Sequence, residues 1–346
     1  MPVLDRALPA RDMLNQGYCI RRSTADDGEA ICALMQRAFD YGDGANVGLS
    51  PAWWHWKYFE NPEGRHSLVC EGPEGRLLGH YGGVPARVWC EGRALRFGQN
   101  CDSCSDPDVR RGLRNPGLFV RLAQAYASTY AGPDQDAVMY GLPIRSAYRI
   151  GARYLDYWLV RSQLGLVLDD VASLPPADDG LLVEATAALP EDLDAFLDRQ
   201  RAGLRCHAVR SHAFLTWRFL RHPHVAYEVA FARSAPSGEL RGYAVYRGAE
   251  FMGRNLGLLM DFMVEPGDDA ALASLLRWAS ACATREGRRA LFFLTSPPWP
   301  WFDLLQRFGF RAETTDYVFA ARPYAELEPE YLRAHWTYTL ADLDIL

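Results

Sequence analysis

The sequence has 346 residues, 49% of them hydrophobic and 23% charged, and a formal net charge of -6 at pH 7. This length and apolar content suffice for two domains with cores of their own, while the negative balance argues against a protein that binds nucleic acid through a broadly basic surface. No apolar run reaches the roughly 18 residues of a transmembrane helix and the N-terminus lacks a secretion signal, so we expect a cytoplasmic protein with reduced cysteines and without a membrane or nucleic-acid partner.

Hydrophobic periodicity and turn residues predict an alternating α/β organisation in the first half of the chain. A helix over 24–39 follows an N-cap threonine and an acidic first turn. Alternating apolar runs bounded by Gly and Pro predict hairpin strands after it. The elements predicted next are strands 66–71, 77–89 and 95–106, a helix over 117–130 and a strand over 136–142.

The second half is predicted to repeat this order. Its elements are a helix over 191–201, strands 226–233, 240–248 and 256–264, a helix over 269–286, a strand over 289–295 and a helix over 299–308. Between the halves, residues 166–180 contain Pro-Pro and acidic residues, which predicts a linker or the edge of a shared sheet. Near the C-terminus, residues 336–340 alternate like a strand that could reach over the cleft between the halves.

An internal repeat supports two halves of one fold. Identical residues recur at one offset, and two neighbouring positions are chemically similar: Ser50/Ser211, Ala52/Ala213, Trp56/Trp217 and Pro62/Pro223 are identical, and Lys57/Arg218 and Tyr58/Phe219 are similar. Downstream, Asp102 corresponds to Asp261 in the same order along the chain. The aromatic clusters of these segments have helical spacing, which favours core packing over a role in shaping an acceptor pocket.

The order of segments resembles the GNAT (GCN5-related N-acetyltransferase) superfamily. In the first half, a strand ends in the acidic-Pro step Asp106-Pro107, and a basic loop, a helix, a strand and a short helix ending at Gly151 follow. The resemblance implies an α/β (α+β) fold of two tandem GNAT-like domains, each a mixed, mostly antiparallel sheet flanked by helices. The implied limits are an N-terminal tail 1–17, a domain 18–165 with the acyl-CoA loop, a linker 166–180, a degenerate domain 181–325 and a C-terminal segment 326–346.

The superfamily binds acyl-CoA at an [Arg/Gln]-x-x-Gly-x-[Gly/Ala] loop between a strand and a helix. Residues 114–119 fit one register of this loop, with Phe119 where the superfamily prefers a small residue, and a second register begins at Arg111-Gly112. Glycine lets the backbone approach an anion closely, and free N–H groups at a helix start favour a pyrophosphate. The resemblance implies cofactor contacts at Ser103, Cys104, Ser105, Asp106, Arg111, Gly112, Arg114, Asn115, Pro116, Gly117 and Leu118.

The corresponding loop of the second half has a different charge. Gly267-Asp268-Asp269 places two carboxylates where the first half has arginines. Carboxylates at a helix N-terminus satisfy its dipole from within the protein and repel a pyrophosphate. We therefore expect the second half to serve as a scaffold or as a wall of the acceptor site.

The resemblance implies direct attack of an amine on an acyl thioester. A backbone N–H within Ser103–Asp106 would polarise the thioester carbonyl, Tyr148 would be the general acid, and Asp102 or a chain of waters the base. A structural role for Asp102 and a packing role for Tyr148 stay open. The expected co-substrate is acetyl-CoA or another acyl-CoA, the acceptor is a small amine, and no metal is expected because the CxxC at Cys101 and Cys104 lacks a second ligand pair.

Two further functions stay open at this point. One is a Fem-type aminoacyl transferase, which would use charged tRNA instead of CoA and would need a basic surface. The other is a non-catalytic, degenerate GNAT pair that binds a ligand or a partner. Binding of CoA separates the acyltransferase from both alternatives.

Overall fold

The computed structural model describes residues 17–39, 49–110, 117–169, 174–201 and 203–344. Its strands are β1 Cys19–Arg22, β2 His66–Glu71, β3 Leu77–Cys90, β4 Arg93–Ser105, β5 Asp136–Gly141, β6 Trp158–Leu168, β7 Leu181–Ala185, β8 Cys206–Ala208, β9 Glu228–Ser234, β10 Leu240–Phe251, β11 Arg254–Val264, β12 Leu291–Leu294, β13 Arg311–Pro323 and β14 Trp336–Thr337. Its helices are α1 Gly28–Phe39, α2 Pro51–Phe59, α3 Leu118–Tyr130, α4 Arg145–Tyr154, α5 Leu193–Arg201, α6 His212–Leu215, α7 Asp269–Arg285, α8 Phe302–Arg307 and α9 Pro329–His335.

The repeated serines begin equivalent helices in the two halves. Ser50 accepts a hydrogen bond from the backbone N–H of Trp53 at 3.1 Å, and Ser211 accepts one from that of Phe214 at the same distance. Each serine is in the extended conformation that an N-cap requires. The sequence repeat is therefore also a repeat of local structure.

All strands join one sheet, whose main path runs β1-β2-β3-β4-β5-β13-β6-β12-β11-β10-β9-β7. The pairing is mostly antiparallel, with parallel pairs between β4 and β5, between β11 and β12 and between β8 and β14. This confirms the predicted α/β class with mixed, mostly antiparallel strand pairing.

The last strand of each half lies next to the other half. Strand β6 of the first half pairs with β12 of the second, and β13 of the second half pairs with β5 of the first. Residues 166–168 of the predicted linker belong to β6, in the middle of the shared sheet. Because the halves exchange strands in this way, the predicted domain limits stay a proposal about sequence units.

Helices cover the two faces of the first half of the sheet. Consecutive residues of a strand point to opposite faces, and Val69 packs under helices α1 and α2, whereas Leu68 packs with helix α3. Residues of α4 pack against the same cluster as α3. None of the described helices is both long enough and apolar enough to cross a lipid bilayer.

Candidate functional site

Strands β4 and β5 diverge near the centre of the first half. They pair in parallel from Arg96/Asp136 to Gln99/Tyr140, and β4 then continues to Ser105 with β3 as its only described strand partner. Beyond Gln99, the β5-facing edge of β4 therefore offers backbone N–H and C=O groups that an extended ligand can pair with. We call the gap in strand pairing beyond Gln99 and Tyr140 the wedge, or the opening, between β4 and β5.

The second half repeats this divergence. Strands β11 and β12 pair from Gly257/Leu291 to Leu259/Phe293, and β11 then runs on to Val264. Strands β4 and β11 each also have a register shift against their antiparallel neighbours, β3 and β10, near the point where the parallel pairing ends. The two halves thus share the geometry of the opening, and they differ in what fills it.

The register shift in β4 is centred on Asp102. His80 pairs with Cys104 and Gly82 with Cys101, so two residues of β4 oppose one of β3. Asp102 has a φ of 51°, a left-handed conformation that Asp tolerates better than most residues. Such a bulge redirects a side chain out of the regular pleat, which places the carboxylate of Asp102 beneath helix α2.

The carboxylate of Asp102 is held by Lys57 and Tyr58. Lys57 Nζ lies 2.6 Å from Asp102 Oδ2, and the hydroxyl of Tyr58 donates to the same oxygen at 2.7 Å. No described residue forms a hydrogen bond with Oδ1. One carboxylate oxygen is therefore fixed by two donors, and the other is available to accept a proton from a ligand.

Lys57 is a buried cation between two carboxylates. Its side chain is almost fully buried, and its ammonium contacts Asp344 as well as Asp102. Burial opposes the charge of Lys57, but the attraction of the two carboxylates outweighs burial and holds the pKa of the ammonium above its ordinary value. Lys57 therefore stays protonated at neutral pH.

Two neighbouring features make room for this arrangement. A Cβ on Gly82 would lie 2.0 Å from the hydroxyl oxygen of Tyr58, so glycine at this position lets the phenol reach Asp102. His80 lies next to the backbone of Asp102, with Nδ1 2.8 Å from its carbonyl oxygen and Nε2 2.9 Å from Ser67 Oγ. Burial lowers the pKa of His80 to about 4, so its imidazole is neutral at pH 7.

The same cluster contains a set of atoms with metal-ligand character. The thiol of Cys101 and the carboxylates of Asp102 and Asp344 have one atom each within 4.8 Å of one another. The ammonium of Lys57 contacts both carboxylates, and burial raises the pKa of Cys101 well above its ordinary value, which opposes formation of a thiolate. The ammonium of Lys57 thus already supplies the positive charge next to the carboxylates of Asp102 and Asp344.

The starts of the two equivalent helices differ. Gly117 is the N-cap residue of helix α3 and provides no side-chain cap. At helix α7, the carboxylate of Asp268 accepts from the N–H of Ala271 at 3.1 Å and pairs with Arg241 at 2.7 Å. Among the described residues, the first helix therefore starts without a side-chain cap, whereas the second is capped by its own chain.

Part of the predicted cofactor loop lies outside the described residues: Arg111, Gly112, Arg114, Asn115 and Pro116. At its end, Leu118 packs in the cluster under α3. The ring of Phe119 lies 5.8 Å from that of Tyr81, so its bulk is directed into this cluster. The predicted contacts of this loop with acyl-CoA stay a prediction.

The strand end before the loop is described. Ser103 donates to the carbonyl of Cys101, Cys104 packs against α1 and α2, and the carbonyl of Ser105 accepts from Arg110. The carboxylate of Asp106 caps a short 3-10 turn through the N–H of Asp108 and pairs with arginines of other segments. These side chains support the strand end, which leaves its backbone as the part that can face a cofactor.

The two predicted catalytic residues are not in contact. Tyr148 is half-buried on helix α4, and within the described residues its hydroxyl has no hydrogen bond. The described contacts of Asp102 are with Lys57 and Tyr58. Both predicted roles stay predictions, and the direct partners of Asp102 are residues that the sequence reasoning did not assign to the site.

The second half closes its opening with a buried polar network. Asp261, the counterpart of Asp102, accepts hydrogen bonds from Arg210, Tyr243 and Thr339 at 2.7, 2.6 and 2.8 Å. Arg210 also pairs with Asp342 at 2.5 Å. All hydrogen-bonding capacity of the Asp261 carboxylate is therefore used within the protein, which supports a structural role for this residue.

The C-terminal segment contacts Lys57 and Arg218, the equivalent basic residues of the two halves. Lys57 contacts Asp344, and its counterpart Arg218 donates to the carbonyls of Ala341 and Leu343. The hydroxyl of Tyr140 donates to the carbonyl of Asp342 at 2.9 Å. This segment therefore covers the apex of the opening between β4 and β5.

A small cavity remains at this apex. Its volume is about 30 Å³, which is room for about one water molecule. Gln99 and Tyr140, the last paired residues of β4 and β5, line it together with Trp56, Trp217 and Lys57. The cavity thus joins the wedge of the first half to the junction between the halves.

Comparison with known proteins identifies the fold. No protein-family model matches the sequence, and a search of curated proteins finds no relative. Among solved structures, the chain is similar to a GCN5-related N-acetyltransferase from Anabaena variabilis, with a TM-score of 0.62, 13% identity and coverage of 89% of this chain and 73% of that one. A GCN5-related N-acetyltransferase from Kribbella flavida gives a TM-score of 0.59 at 14% identity, covering 88% and 71%.

A third similar structure was determined with a ligand. It is the N-myristoyltransferase of Saccharomyces cerevisiae with bound myristoyl-CoA, at a TM-score of 0.55 and 12% identity, covering 89% of this chain and 79% of that one. Identities this low establish a shared fold and leave the activity to be argued from the site. The chain has the GNAT fold that the order of its segments predicts.

Proposed function

We propose that this chain is an N-acyltransferase that moves an acyl group from acyl-CoA to a small amine. The observation that carries the proposal is the open wedge between β4 and β5, together with a helix N-terminus without a side-chain cap at Gly117. The equivalent helix is capped by Asp268 and the equivalent carboxylate, Asp261, is saturated. Only the first of the two repeated openings thus keeps the features that a phosphorylated, extended ligand needs.

The proposed donor site uses backbone rather than side-chain contacts. The pantetheine arm is an extended chain with two amides. The edge of β4 from Asn100 to Ser105 has no described strand partner on its β5 side, so the arm can pair with those backbone groups that His80, Ser103 and Arg110 do not already use. The pyrophosphate would lie at the start of helix α3, with positive charge from the loop arginines. The site belongs to residues 18–165, and residues 181–325 form the opposite wall.

The proposed reaction is a direct transfer. The neutral amine attacks the thioester carbonyl, a C–N bond forms, the C–S bond breaks, and the products are an amide and free CoA thiol. The amine loses one proton to Asp102 Oδ1 or to a water chain, and the thiolate takes one from Tyr148 or from water. Lys57 and Tyr58 fix Asp102 Oδ2 and so orient the accepting oxygen.

The apex cavity favours a short acyl group. The acyl end of a donor lying in the wedge would project toward Gln99 and Tyr140, where the free volume is about 30 Å³. Such a space is comparable to an acetyl methyl group, and longer chains would have to displace the C-terminal segment around Asp342. Acetyl-CoA is therefore the proposed donor, and a cytoplasmic location, where acyl-CoA is made, fits the eight free cysteines.

Titration calorimetry with acetyl-, butyryl- and octanoyl-CoA tests the proposal. We expect acetyl-CoA to bind most tightly and to raise the melting temperature. At a hundredfold excess over Kd, binding increases the free energy of unfolding by about 2.7 kcal/mol. A screen of small amines for release of CoA thiol would then identify the acceptor. Failure of all three acyl-CoAs to bind would contradict the proposal and leave the aminoacyl-tRNA and non-catalytic alternatives.

A further inference from the structure

Helix α4 carries a row of arginines that the proposed reaction does not use. Arg145, Arg149 and Arg153 are spaced at i, i+4 and i+8, which places them on one face of the helix, and all three are exposed. None of them pairs with a carboxylate among the described residues. We call this surface the arginine face, and it is a local basic strip on a chain whose net charge is -6.

Large exposed apolar residues directly precede and closely follow helix α4 in the sequence. Ile144, the N-cap residue of the helix, is 56% exposed, and Trp158, just beyond the end of the helix, is 54% exposed. These are the two most exposed large hydrophobic residues in the described part of the chain. Exposed Trp and Arg together are typical of protein interfaces, where they contribute a large share of binding energy.

The arginine face is close to the proposed donor entrance. On its inner side, helix α4 packs Ile150 into the cluster that also contains Leu118 and Phe119, the first residues of helix α3. Only three residues separate helix α4 from β5, the strand that forms one side of the wedge. A partner bound to the arginine face would therefore lie on the same side of the sheet as helix α3, at whose start the donor is proposed to enter.

We propose that the arginine face docks an acidic carrier protein that presents the acyl group as a thioester on a phosphopantetheine arm. The inference rests on the proposed function and names a macromolecular donor for it. The three arginines extend over about 12 Å of helix, at 1.5 Å per residue, so they do not converge on one phosphate group. A row of this length matches a row of carboxylates on the surface of an acidic helix.

The chemistry at the wedge is the same for this donor. The amine attacks the thioester carbonyl, the C–N bond forms and the C–S bond breaks. The leaving group is then the phosphopantetheine thiol of the carrier, which takes up the proton that CoA would otherwise take. An anionic membrane is a less suitable partner, because three arginines and two apolar residues present little apolar area to a lipid surface.

The test measures binding of a holo acyl carrier protein of the bacterial fatty-acid type to the full chain, by calorimetry at low and at moderate salt. The test variant is Arg145→Glu/Arg149→Glu/Arg153→Glu. The matched control, Arg93→Glu/Arg289→Glu/Arg307→Glu, makes the same change of charge at three other exposed arginines that have no described carboxylate partner. Circular dichroism and a milder Arg→Gln triple variant separate lost docking from lost folding.

We expect the test variant to weaken carrier binding at least tenfold, the control to change it less than threefold, and acetyl-CoA binding to be unchanged in both. Equal weakening by test and control variants would overturn the inference, as would loss of acetyl-CoA binding in the test variant alone. Binding to vesicles of anionic phospholipid without binding to the carrier would also overturn it. If wild type binds acetyl-CoA but not the carrier, this inference fails and the proposed function stands; if it binds neither donor, the proposed function fails as well.

Discussion

The indole N–H of Trp56 donates to the backbone carbonyl of Trp217 at 2.8 Å, and the indole N–H of Trp217 donates to the carbonyl of Trp56 at 3.0 Å. The two rings are stacked, with centroids 5.1 Å apart. A reciprocal contact between equivalent residues is the signature of an approximate twofold relationship, here between the halves of one chain. The tryptophan pair that reveals the repeat in the sequence thus also marks the axis of the junction.

This reciprocity predicts a cost for removing one indole N–H. In Trp56→Phe the carbonyl of Trp217 loses its donor in a buried place, and we expect a loss of about 1–3 kcal/mol of unfolding free energy in addition to the packing change. Urea denaturation followed by circular dichroism measures it. Trp54→Phe is the matched control, since the Trp54 indole is fully buried and its N–H has no described hydrogen bond. Equal losses in both variants would contradict the role of the hydrogen bond.

A second prediction concerns the buried cation. Lys57→Met leaves the carboxylates of Asp102 and Asp344 without their cation, and we expect a loss of about 3–5 kcal/mol and of acyl-transfer activity. Its repeat counterpart provides the control: Arg218→Met removes hydrogen bonds to two backbone carbonyls and to the hydroxyl of Tyr227, none of them to a carboxylate, and should cost less. Equal destabilisation by the two substitutions, measured by urea denaturation, would show that the ion pairs contribute little.

The sequence and the structure agree most where the signal is local. Strands such as His66–Glu71 and helix Leu118–Tyr130 lie within a few residues of the predicted limits, because turn residues and periodicity specify them. The exchange of β6 and β13 between the halves is not readable from the sequence, since equivalent strands have the same local pattern wherever they pair. The chain order of the elements is the same with and without the exchange.

The candidate site was predictable only in part. The repeat marks Lys57 and Tyr58 through their counterparts Arg218 and Phe219, and it marks Asp102 through Asp261. No local signal connects Asp344 to Lys57, because 287 positions separate them and only the path of the C-terminal segment brings them together. Long-range ion pairs of this kind depend on tertiary structure and not on spacing.

The neutral state of His80 predicts a pH dependence of stability. Burial lowers its pKa to about 4 from an ordinary value of 6.5, so between these values the unfolded chain binds more protons than the folded one. Stability therefore falls as pH is lowered, by about 2 kcal/mol from pH 7 to pH 5 for this one group. His80→Gln should be less stable than wild type at pH 7. Between pH 7 and pH 5 its free energy of unfolding should fall by about 2 kcal/mol less than that of wild type. Parallel pH profiles of the two proteins in urea denaturation would contradict this assignment.

Thiol reactivity tests the junction between the halves. Of the eight cysteines, Cys19 alone is exposed, so we expect one fast equivalent with Ellman's reagent and none in Cys19→Ser. Cys90 of the first half and Cys206 of the second are paired across β3 and β8 and are buried. Because both thiols are buried in this junction, the reagent can reach them when the junction opens. Fast labelling of Cys90, identified by mass spectrometry, would show that the halves separate in solution.

The contrast between the two helix starts gives the sharpest prediction for the donor site. Gly117 has the extended conformation of an N-cap residue, with φ -70° and ψ -179°, so an aspartate fits there without backbone strain. Gly117→Asp transfers the capping carboxylate of Asp268 to the first half. We expect the free protein to become up to about 1 kcal/mol more stable, because the carboxylate caps helix α3 and complements its dipole. The same carboxylate occupies the proposed pyrophosphate position and repels the pyrophosphate, so acetyl-CoA binding should weaken at least tenfold.

Gly117→Asn, a neutral N-cap residue, is the control for charge and should stabilise the helix with a smaller effect on binding. Stability is measured by urea denaturation and binding by calorimetry. A variant that binds acetyl-CoA as tightly as wild type while being more stable would place the pyrophosphate elsewhere, because the helix start would then be capped and the ligand still bound.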